Sequence, residues 1–321
     1  MSSWRGRRVT VTGGAGFLGS VLVERLRAAG AAVAVARRRD YDLTEREAAL
    51  RLFEASRPDV LFHLAAAVGG IGANQAEPGR FFHDNMAMGL HVVEAARRYG
   101  RLQTLVLVGT TCAYPGSAPV PMREDALWDG FPEPTNAPYG VAKRALLVMA
   151  QAYRAQYGLN AIYLIPANLY GPGDNFDLET SHVIPALVRK CVDAVAEGQD
   201  EVQAWGDGAP TREFLHVRDA ARGLMLAAER YGGAEPVNLG TGHEVSIRDL
   251  AETIAALAGF RGRITWDASR PGGQRRRRLD TTRARQAFGF EAEIALPDGL
   301  REVVDWYRAH RGVAARAPER R

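Results

Sequence analysis

Short apolar runs alternate with amphipathic stretches through the first half of the chain. The apolar runs predict strands at residues 7–13, 31–38, 59–66, 102–112 and 159–171. Apolar residues that recur every three or four positions predict helices at residues 16–30, 45–57, 85–100 and 139–158. Because strands and helices alternate, the pattern predicts an α/β fold of the Rossmann type, a doubly wound parallel sheet. Ligands of such a sheet bind at the carboxyl ends of its strands.

The second half of the chain is less regular. It predicts helices at residues 181–198, 246–260 and 299–312, and a strand and turn at 201–210 that lead into residues 212–232. We interpret residues 1–168 as a dinucleotide-binding domain to which residues 213–240 return. Residues 169–321 are then mainly a smaller, interwoven substrate-binding domain.

Composition narrows the class of protein. Of the 321 residues 46% are apolar, which is ample for a large core, yet no apolar stretch reaches the roughly 20 residues of a membrane span. Cys112 and Cys191 are the two cysteines, too few for a disulfide framework. A net charge of +4 does not indicate nucleic-acid binding. We expect a cytoplasmic protein with neither a membrane nor a nucleic-acid partner, and the sequence has no metal-ligand spacing.

A glycine-rich turn follows the first predicted strand. Gly13, Gly16 and Gly19 are spaced G-x-x-G-x-x-G, and Phe17 and Leu18 begin the helix. Glycines allow the backbone to approach a pyrophosphate, and the helix N-terminus adds N–H groups and a positive dipole. The alternative to this dinucleotide site is a tight structural turn.

Three arginines end the second predicted strand, where NAD enzymes usually carry an acid for the ribose 2′-hydroxyl. Guanidinium groups of Arg37, Arg38 and Arg39 favour a 2′-phosphate, so we predict NADP(H), with Arg37 and Arg39 as its ligands. The alternative is a solvated basic loop, with Asp40 binding NAD.

Tyr139 and Lys143 lie four residues apart in YGVAK, on one face of a helix. An ammonium beside a phenol favours the phenolate and lowers the pKa of Tyr139. Such a tyrosine can exchange a proton with a sugar oxygen while a hydride moves to or from the adjacent carbon. Upstream, GTTCAYP ends a predicted strand with two hydroxyls and the thiol of Cys112. Taken alone, Cys112 is better explained as a small buried apolar residue, the usual state of a free cysteine.

From residue 7 to 308 the sequence resembles the extended short-chain dehydrogenase/reductase family. Within it, the blocks GTTCAYP, TNAPYGVAK, PANLYGPGDNF, SHVIPALVRK and WGDGAPTREFLHVRD resemble the GDP-L-fucose synthases. These are 3,5-epimerase/4-reductases that form GDP-L-fucose from GDP-4-keto-6-deoxy-D-mannose with NADPH. The resemblance implies that Thr110 or Thr111, Tyr139 and Lys143 form the reductive centre, and we favour Thr110.

The same resemblance makes Cys112 and His182 the epimerisation pair. A C4 ketone acidifies the C3 and C5 protons, so a base must remove one and an acid must return one from the other face. A thiolate suits the first task where a cation favours it, and His182 is a candidate for that cation and for the acid. We expect His182 at a helix N-terminus, where the dipole disfavours imidazolium.

The resemblance also implies substrate ligands. These are Arg212 and Lys190 for the diphosphate of a nucleotide sugar (GDP-linked in this family), Asn168 for sugar or phosphate, and Trp205 for sugar or base. One of Arg275, Arg276, Arg277 and Arg278 is expected near the nucleotide. Family members often pair the helices at 85–98 and 139–158 across a two-fold axis, so we expect a homodimer.

Two competing hypotheses keep the fold. One is a nucleotide-sugar epimerase or dehydratase with tightly bound NAD(P) and no net reduction. The other is a non-catalytic NADP-sensing regulator. The sequence leaves the nucleobase and the exact sugar open.

Overall fold

The computed structural model describes residues 3–69, 71–269 and 274–314. Its strands are β1 (Arg8–Thr12), β2 (Ala32–Ala36), β3 (Val60–His63), β4 (Thr104–Val108), β5 (Ala161–Pro166), β6 (Asn168–Tyr170), β7 (Glu201–Trp205), β8 (Thr211–Arg212), β9 (Phe214–His216), β10 (Val237–Leu239), β11 (Val245–Ser246), β12 (Arg263–Asp267) and β13 (Arg276–Arg277). Its helices are α1 (Phe17–Ala28), α2 (Arg46–Ser56), α3 (Ile71–Ala76), α4 (Pro78–Tyr99), α5 (Ala137–Tyr157), α6 (Val183–Glu197), α7 (Val217–Arg230), α8 (Ile247–Ala258), α9 (Thr282–Phe288) and α10 (Leu296–Ala314).

Within these ranges, six parallel strands form the central sheet in the order β2-β1-β3-β4-β5-β10. Helices α1 and α7 pack together, as do α2, α4 and α5, and the two groups flank the sheet. Side chains such as Val60, Leu61 and Phe62 are fully buried, as expected for parallel strands that are covered on both faces. The predicted α/β fold with a parallel sheet is therefore confirmed.

The order of the strands locates a ligand crevice. The chain leaves β1 on one side to form β2, then crosses back to place β3 on the other side of β1. The carboxyl ends of β1 and β3 therefore form a topological switch point, the usual binding place in such sheets.

The observed elements differ from the prediction at several points. Helix α4 begins at Pro78 instead of residue 85, because proline is well suited to the first turn of a helix. The apolar run at residues 159–171 splits into β5, in the central sheet, and β6, which pairs with β9. The short elements β10 and α9 gave no periodicity that could be recognised.

A second hydrophobic cluster lies outside the sheet. It joins α6, α8 and α10 through fully buried residues that include Val188, Leu250, Ile254 and Val303. Small sheets accompany it, namely β7 with β12, and β8 between β11 and β13. The division into a domain of residues 1–168 and one of 169–321 stays a prediction.

No helix in the described ranges combines the length and the apolar character that crossing a bilayer requires.

Candidate active site

The glycine turn lies at the switch point. Gly13 has φ +69°, and a Cβ there would come within 2.8 Å of the main-chain nitrogen of Ala65, just beyond β3. A Cβ on Gly19 would lie 2.1 Å from the carbonyl oxygen of Gly13. Gly16 caps α1 without a side-chain acceptor, so the turn leaves room for an outside anion at the helix N-terminus. This geometry fits the pyrophosphate of a dinucleotide.

The three arginines follow β2 directly, and all are exposed. The guanidinium of Arg38 pairs with Asp42 at 3.4 Å, and that of Arg39 lies 3.7 Å from Asp40. Basic side chains therefore surround the end of β2, whereas the carboxylate of Asp40 is engaged with one of them. This arrangement fits a 2′-phosphate better than a bare ribose.

Tyr139 and Lys143 lie in the first two turns of α5, and both are almost fully buried. A hydrogen bond joins the side chains of Tyr139 and Thr110. The Nζ of Lys143 donates to the carbonyl oxygen of Val108 at 3.2 Å and lies 6.0 Å from the centroid of the Tyr139 ring. The spacing thus brings the phenol, the ammonium and a hydroxyl to the carboxyl end of β4.

The pKa of Tyr139 differs from the sequence-based expectation. Burial raises it well above the usual value, the nearby thiol of Cys112 acts in the same direction, and the hydrogen bond with Thr110 opposes them only in part. Burial also lowers the pKa of Lys143 to about 8. The expected lowering of the pKa of Tyr139 is therefore wrong for the ligand-free protein, because desolvation outweighs the ammonium. At neutral pH the phenol keeps its proton.

The two threonines before the thiol have different surroundings. Thr110 caps the short 3-10 turn Thr111–Ala113, and its Oγ1 accepts a hydrogen bond from the main-chain nitrogen of Cys112 at 3.2 Å. Thr111 is 95% buried and begins the turn. The geometry thus directs Thr110, the residue that we favoured, toward Tyr139.

Helix α5 packs tightly on this turn. A Cβ on Gly140 would lie 2.2 Å from the carbonyl oxygen of Cys112, so only glycine fits at this position without a shift of the backbone. The residue that follows the tyrosine therefore contacts the main chain of the cysteine.

One guanidinium group contacts the thiol, and a second is near enough to interact with it electrostatically. The Nη1 of Arg277 lies 3.9 Å from Sγ of Cys112, and Gln274 Oε1 accepts hydrogen bonds from Nε and Nη2 of the same arginine. Burial lowers the pKa of Arg212 to about 10, with further lowering by Arg277, while Cys112 and Glu133 act oppositely. The structure thus selects Arg277 from the four consecutive arginines and places it beside the thiol.

His182 is the N-cap of α6, at the helix N-terminus that the sequence predicts. Its side chain is accessible to solvent, yet the surrounding protein is dense enough that burial lowers its pKa. Among the described residues, Arg277 is a cation within hydrogen-bonding range of Cys112, so the ionic role that we considered for His182 has a second candidate.

The remaining predicted substrate residues are on β6, α6 and β7. Nζ of Lys190 donates to the carbonyl oxygen of Gln203 at 2.7 Å and lies 5.9 Å from the ring centroid of Trp205, which is 51% exposed. Nδ2 of Asn168 donates to the carbonyl oxygen of Glu213 at 3.1 Å. Glu213 is a buried carboxylate next to Arg212 that the sequence patterns do not single out, although it lies in the TREFLHV block.

Within the described ranges, His, Cys, Asp and Glu side chains do not form a group of three or more that could hold a metal ion.

Comparisons with known proteins agree with this geometry. The model of the NAD dependent epimerase/dehydratase family matches residues 9–240. The "Probable GDP-L-fucose synthase 1" of Oryza sativa subsp. japonica is 41% identical over 304 residues, which cover 94% of this chain and 92% of the relative. The "GDP-L-fucose synthase" of Escherichia coli (strain K12) is 40% identical over 311 residues, covering 94% and 96%.

A solved structure extends the likeness to three dimensions. The crystal structure of a GDP-L-fucose synthetase from Naegleria fowleri bound to NADP superimposes with a TM-score of 0.89 at 27% identity, covering 97% of each chain. Family model, relatives and structure all span the glycine turn, the tyrosine-lysine pair and the cysteine block. The chain belongs to the NAD dependent epimerase/dehydratase family, on the branch of the GDP-L-fucose synthases.

Proposed function

We propose that this protein is an NADPH-dependent nucleotide-sugar 3,5-epimerase/4-reductase. It converts GDP-4-keto-6-deoxy-D-mannose into GDP-L-fucose or a close analogue. The observation that carries the proposal is that a group suited to reduction and a group suited to epimerisation lie side by side at the end of β4. A protonated tyrosine hydrogen-bonded to Thr110 lies one short turn from a thiol beside a guanidinium group.

The glycine turn and the arginines after β2 would hold the cofactor. Gly13, Gly16 and Gly19, with Phe17 and Leu18, provide the pyrophosphate site, and Arg37 and Arg39 the site for the 2′-phosphate. Tyr139 and Lys143 would contact the nicotinamide ribose. When bound, NADPH supplies the hydride that reduces the C4 ketone.

In the reduction, Tyr139 donates its proton to the C4 oxygen. Its raised pKa keeps the phenol protonated until negative charge develops on that oxygen, and the hydroxyl of Thr110 stabilises the same charge. The ammonium of Lys143, protonated below about pH 8, favours the phenolate that remains.

In the epimerisation, Cys112 removes a proton from C3 or C5 as a thiolate. The electrons of the broken C–H bond move to the C4 oxygen, where Tyr139 and Thr110 stabilise the enolate. His182 returns a proton to the opposite face of the same carbon. Because His182 is open to solvent, that proton is drawn from water.

The substrate would lie between the two parts of the chain. We assign the cofactor to residues 1–168 with 213–240, and the nucleotide sugar mainly to residues 169–321. Arg212, Lys190 and Arg277 supply positive charge for its diphosphate, Asn168 a hydrogen-bonding amide, and Trp205 an exposed ring for stacking.

We also propose a homodimer formed by α4 and α5. An apolar stripe with solvent-exposed members runs along α5, and α4 adds two exposed apolar side chains; the residues are Val141, Ala145, Val148, Ala152, Ala155, Phe82 and Leu90. A stripe at helical spacing that none of the described elements of this chain covers favours a second copy. A cytoplasmic location is supported by the two cysteines, both of which are free thiols.

One reaction in heavy water tests the function. Protein, NADPH and GDP-4-keto-6-deoxy-D-mannose are mixed, and nicotinamide absorbance and deuterium in the product are followed. We expect loss of NADPH with deuterium at C3 and C5. Loss of NADPH without deuterium would leave a plain 4-ketoreductase. Deuterium without loss of NADPH would favour an epimerase with no net reduction, and no reaction would reject this substrate.

A further inference from the structure

Glu213 is a carboxylate enclosed by main-chain donors. Its residue is 2% exposed. Oε1 accepts hydrogen bonds from the main-chain nitrogens of Thr241 at 2.5 Å and Gly242 at 2.8 Å, and Oε2 accepts one from that of Leu279 at 2.6 Å. Burial raises the pKa of Glu213, and these N–H groups oppose the rise because they stabilise the ionised form.

These contacts bind the two arginine strands to each other. Strand β13 pairs with β8 in a register that sets Arg277 opposite Arg212. The main-chain nitrogen of Glu213 donates to the carbonyl oxygen of Arg277 at 3.1 Å, and the side chain of Glu213 holds Leu279 two residues further on. The two-residue ladder of β13 is therefore fixed at its end by one carboxylate.

The same residue reaches a predicted substrate ligand. Its carbonyl oxygen accepts from Nδ2 of Asn168 at 3.1 Å. Main chain and side chain of Glu213 thus connect the segments that carry Asn168, Arg212 and Arg277. A two-residue strand pairing is too short to fix a guanidinium group beside a thiol without such support.

We propose that Glu213 is a positioning residue, which fixes Arg212 and Arg277 relative to each other and thereby holds positive charge at the thiol of Cys112. Its part in turnover rests on the proposed function, whereas the charge at the thiol does not. Without the carboxylate, β13 moves away from β8, and Arg277 no longer lies within reach of Sγ.

The test compares two alkylating reagents on the substrate-free protein. In both, the thiolate sulfur displaces iodide, but iodoacetate is an anion and iodoacetamide is neutral. The fraction of thiolate and the access of the reagent affect both rates alike, so they cancel when one rate is divided by the other. The ratio of the rates therefore reports the positive charge at the thiol. Cys191, the other cysteine, is fully buried, so the reaction of the folded protein reports Cys112.

Glu213→Gln is the main variant, and Arg277→Met sets the ratio expected without the guanidinium. We expect Glu213→Gln to lower the iodoacetate/iodoacetamide ratio roughly three- to tenfold, toward that of Arg277→Met. In turnover, KM for the nucleotide sugar should rise about tenfold, with KM for NADPH unchanged.

Asp219→Asn is the matched control. Asp219 is 3% exposed, and its Oδ2 accepts from the main-chain nitrogens of Glu293 and Ile294, away from both arginine strands. This variant should lose comparable stability and keep the wild-type ratio. Gly240→Ala is a second variant in case Glu213→Gln does not fold, since a Cβ at Gly240 would lie 2.2 Å from Oε1 of Glu213 and displace it.

A wild-type ratio in folded Glu213→Gln or Gly240→Ala would overturn the proposal and leave Glu213 a purely structural carboxylate. A lowered ratio in Asp219→Asn would also overturn the proposal, because the change in ratio would then result from a general loss of stability and not from the position of Arg277. If the ratio falls but the GDP sugar is not turned over by the wild type, the positioning role stands and the proposed function fails.

Discussion

The guanidinium of Arg277 lies 3.9 Å from the thiol of Cys112, although 165 residues separate them in the chain. Gln274 holds this guanidinium through two hydrogen bonds, which directs Nη1 toward the sulfur. This cation lies beside the sulfur that would act as the base in the proposed epimerisation. The proposed epimerase chemistry would therefore depend on an element, β13, that comes near the end of the sequence.

Cys112→Ser should separate the two half-reactions. A serine hydroxyl is far too weak a base, so deuterium exchange at C3 and C5 should fall by at least about a hundredfold. Tyr139→Phe is the matched variant, and it should mainly slow hydride transfer, by roughly 10²–10⁴-fold, because the proton donor for the C4 oxygen is gone. Exchange is measured by NMR and hydride transfer by absorbance. If Cys112→Ser exchanged these protons at the wild-type rate, Cys112 would have no role in proton abstraction.

Replacement of both Arg37 and Arg39 by alanine should reverse the preference for NADPH. Loss of two guanidinium groups beside a 2′-phosphate should weaken NADPH binding by roughly tenfold or more and leave NADH binding nearly unchanged. Fluorescence titration with each nucleotide measures this. Arg38→Ala is the control, since that guanidinium pairs with Asp42. An equal loss for both nucleotides would show that the arginines do not recognise the 2′-phosphate.

Binding of NADPH should weaken above about pH 8. Burial lowers the pKa of Lys143 to about 8 in the ligand-free protein. The side chain is therefore charged below that pH and neutral above it, and a neutral amine attracts the anionic cofactor less. Dissociation constants from pH 6.5 to 9.5 should rise by roughly tenfold. Lys143→Met should bind weakly at every pH, and the same pH dependence in that variant would assign the effect to another group.

Asp174→Asn should stabilise the protein at alkaline pH. Asp174 lies in the loop between β6 and α6, and its Oδ2 is buried with no donor among the described residues. Burial raises its pKa to about 7. Because the folded-state pKa exceeds the unfolded value, the wild type gains stability from this group at low pH and loses it as pH rises from about 4 to 7.

The asparagine variant does not titrate at this position. The stability difference, variant minus wild type, should therefore increase between pH 5 and pH 8 by a few kcal/mol, since each pKa unit corresponds to about 1.4 kcal/mol. Urea denaturation at the two pH values measures the difference. A constant difference would mean that Asp174 is ionised in the folded protein across this range.

Val148→Glu should convert a dimer into a monomer. The side chain of Val148 is 50% exposed on the apolar stripe of α5, and burying a carboxylate there on association is costly. Light scattering after gel filtration gives the mass. Glu252→Gln, on α8, serves as a surface control. A monomeric wild type would refute the proposed interface.

Sequence patterns predicted those parts of the site whose geometry depends on residues close together in the chain. The glycine turn needs only the steric demands at Gly13 and Gly19, and the spacing of Tyr139 and Lys143 needs only one helix. The parallel sheet likewise follows from alternating strands and helices. These features depend on residues that are close together in the sequence.

Long-range pairing could not be predicted in the same way. Four consecutive arginines look alike in the sequence, and only the pairing of β13 with β8 selects Arg277. The role of Glu213 depends on three segments that meet in space. The pKa of Tyr139 was misjudged because the extent of burial, unlike the distance to the next lysine, cannot be read from spacing.

Gly140 is the point at which helix α5, which carries Tyr139, packs against the turn that carries Cys112. Its Cα faces the carbonyl oxygen of Cys112 so closely that a methyl group would not fit, and the phenol of Tyr139 is its neighbour. A change that rotates the turn carrying the thiol would therefore press on the helix that carries the proposed proton donor, Tyr139. Selection for a better epimerase would disturb the reductase, and the reverse. Backbone changes at this contact would then alter both activities together, whereas changes confined to the side chain of Cys112 or of Tyr139 act mainly on one of them.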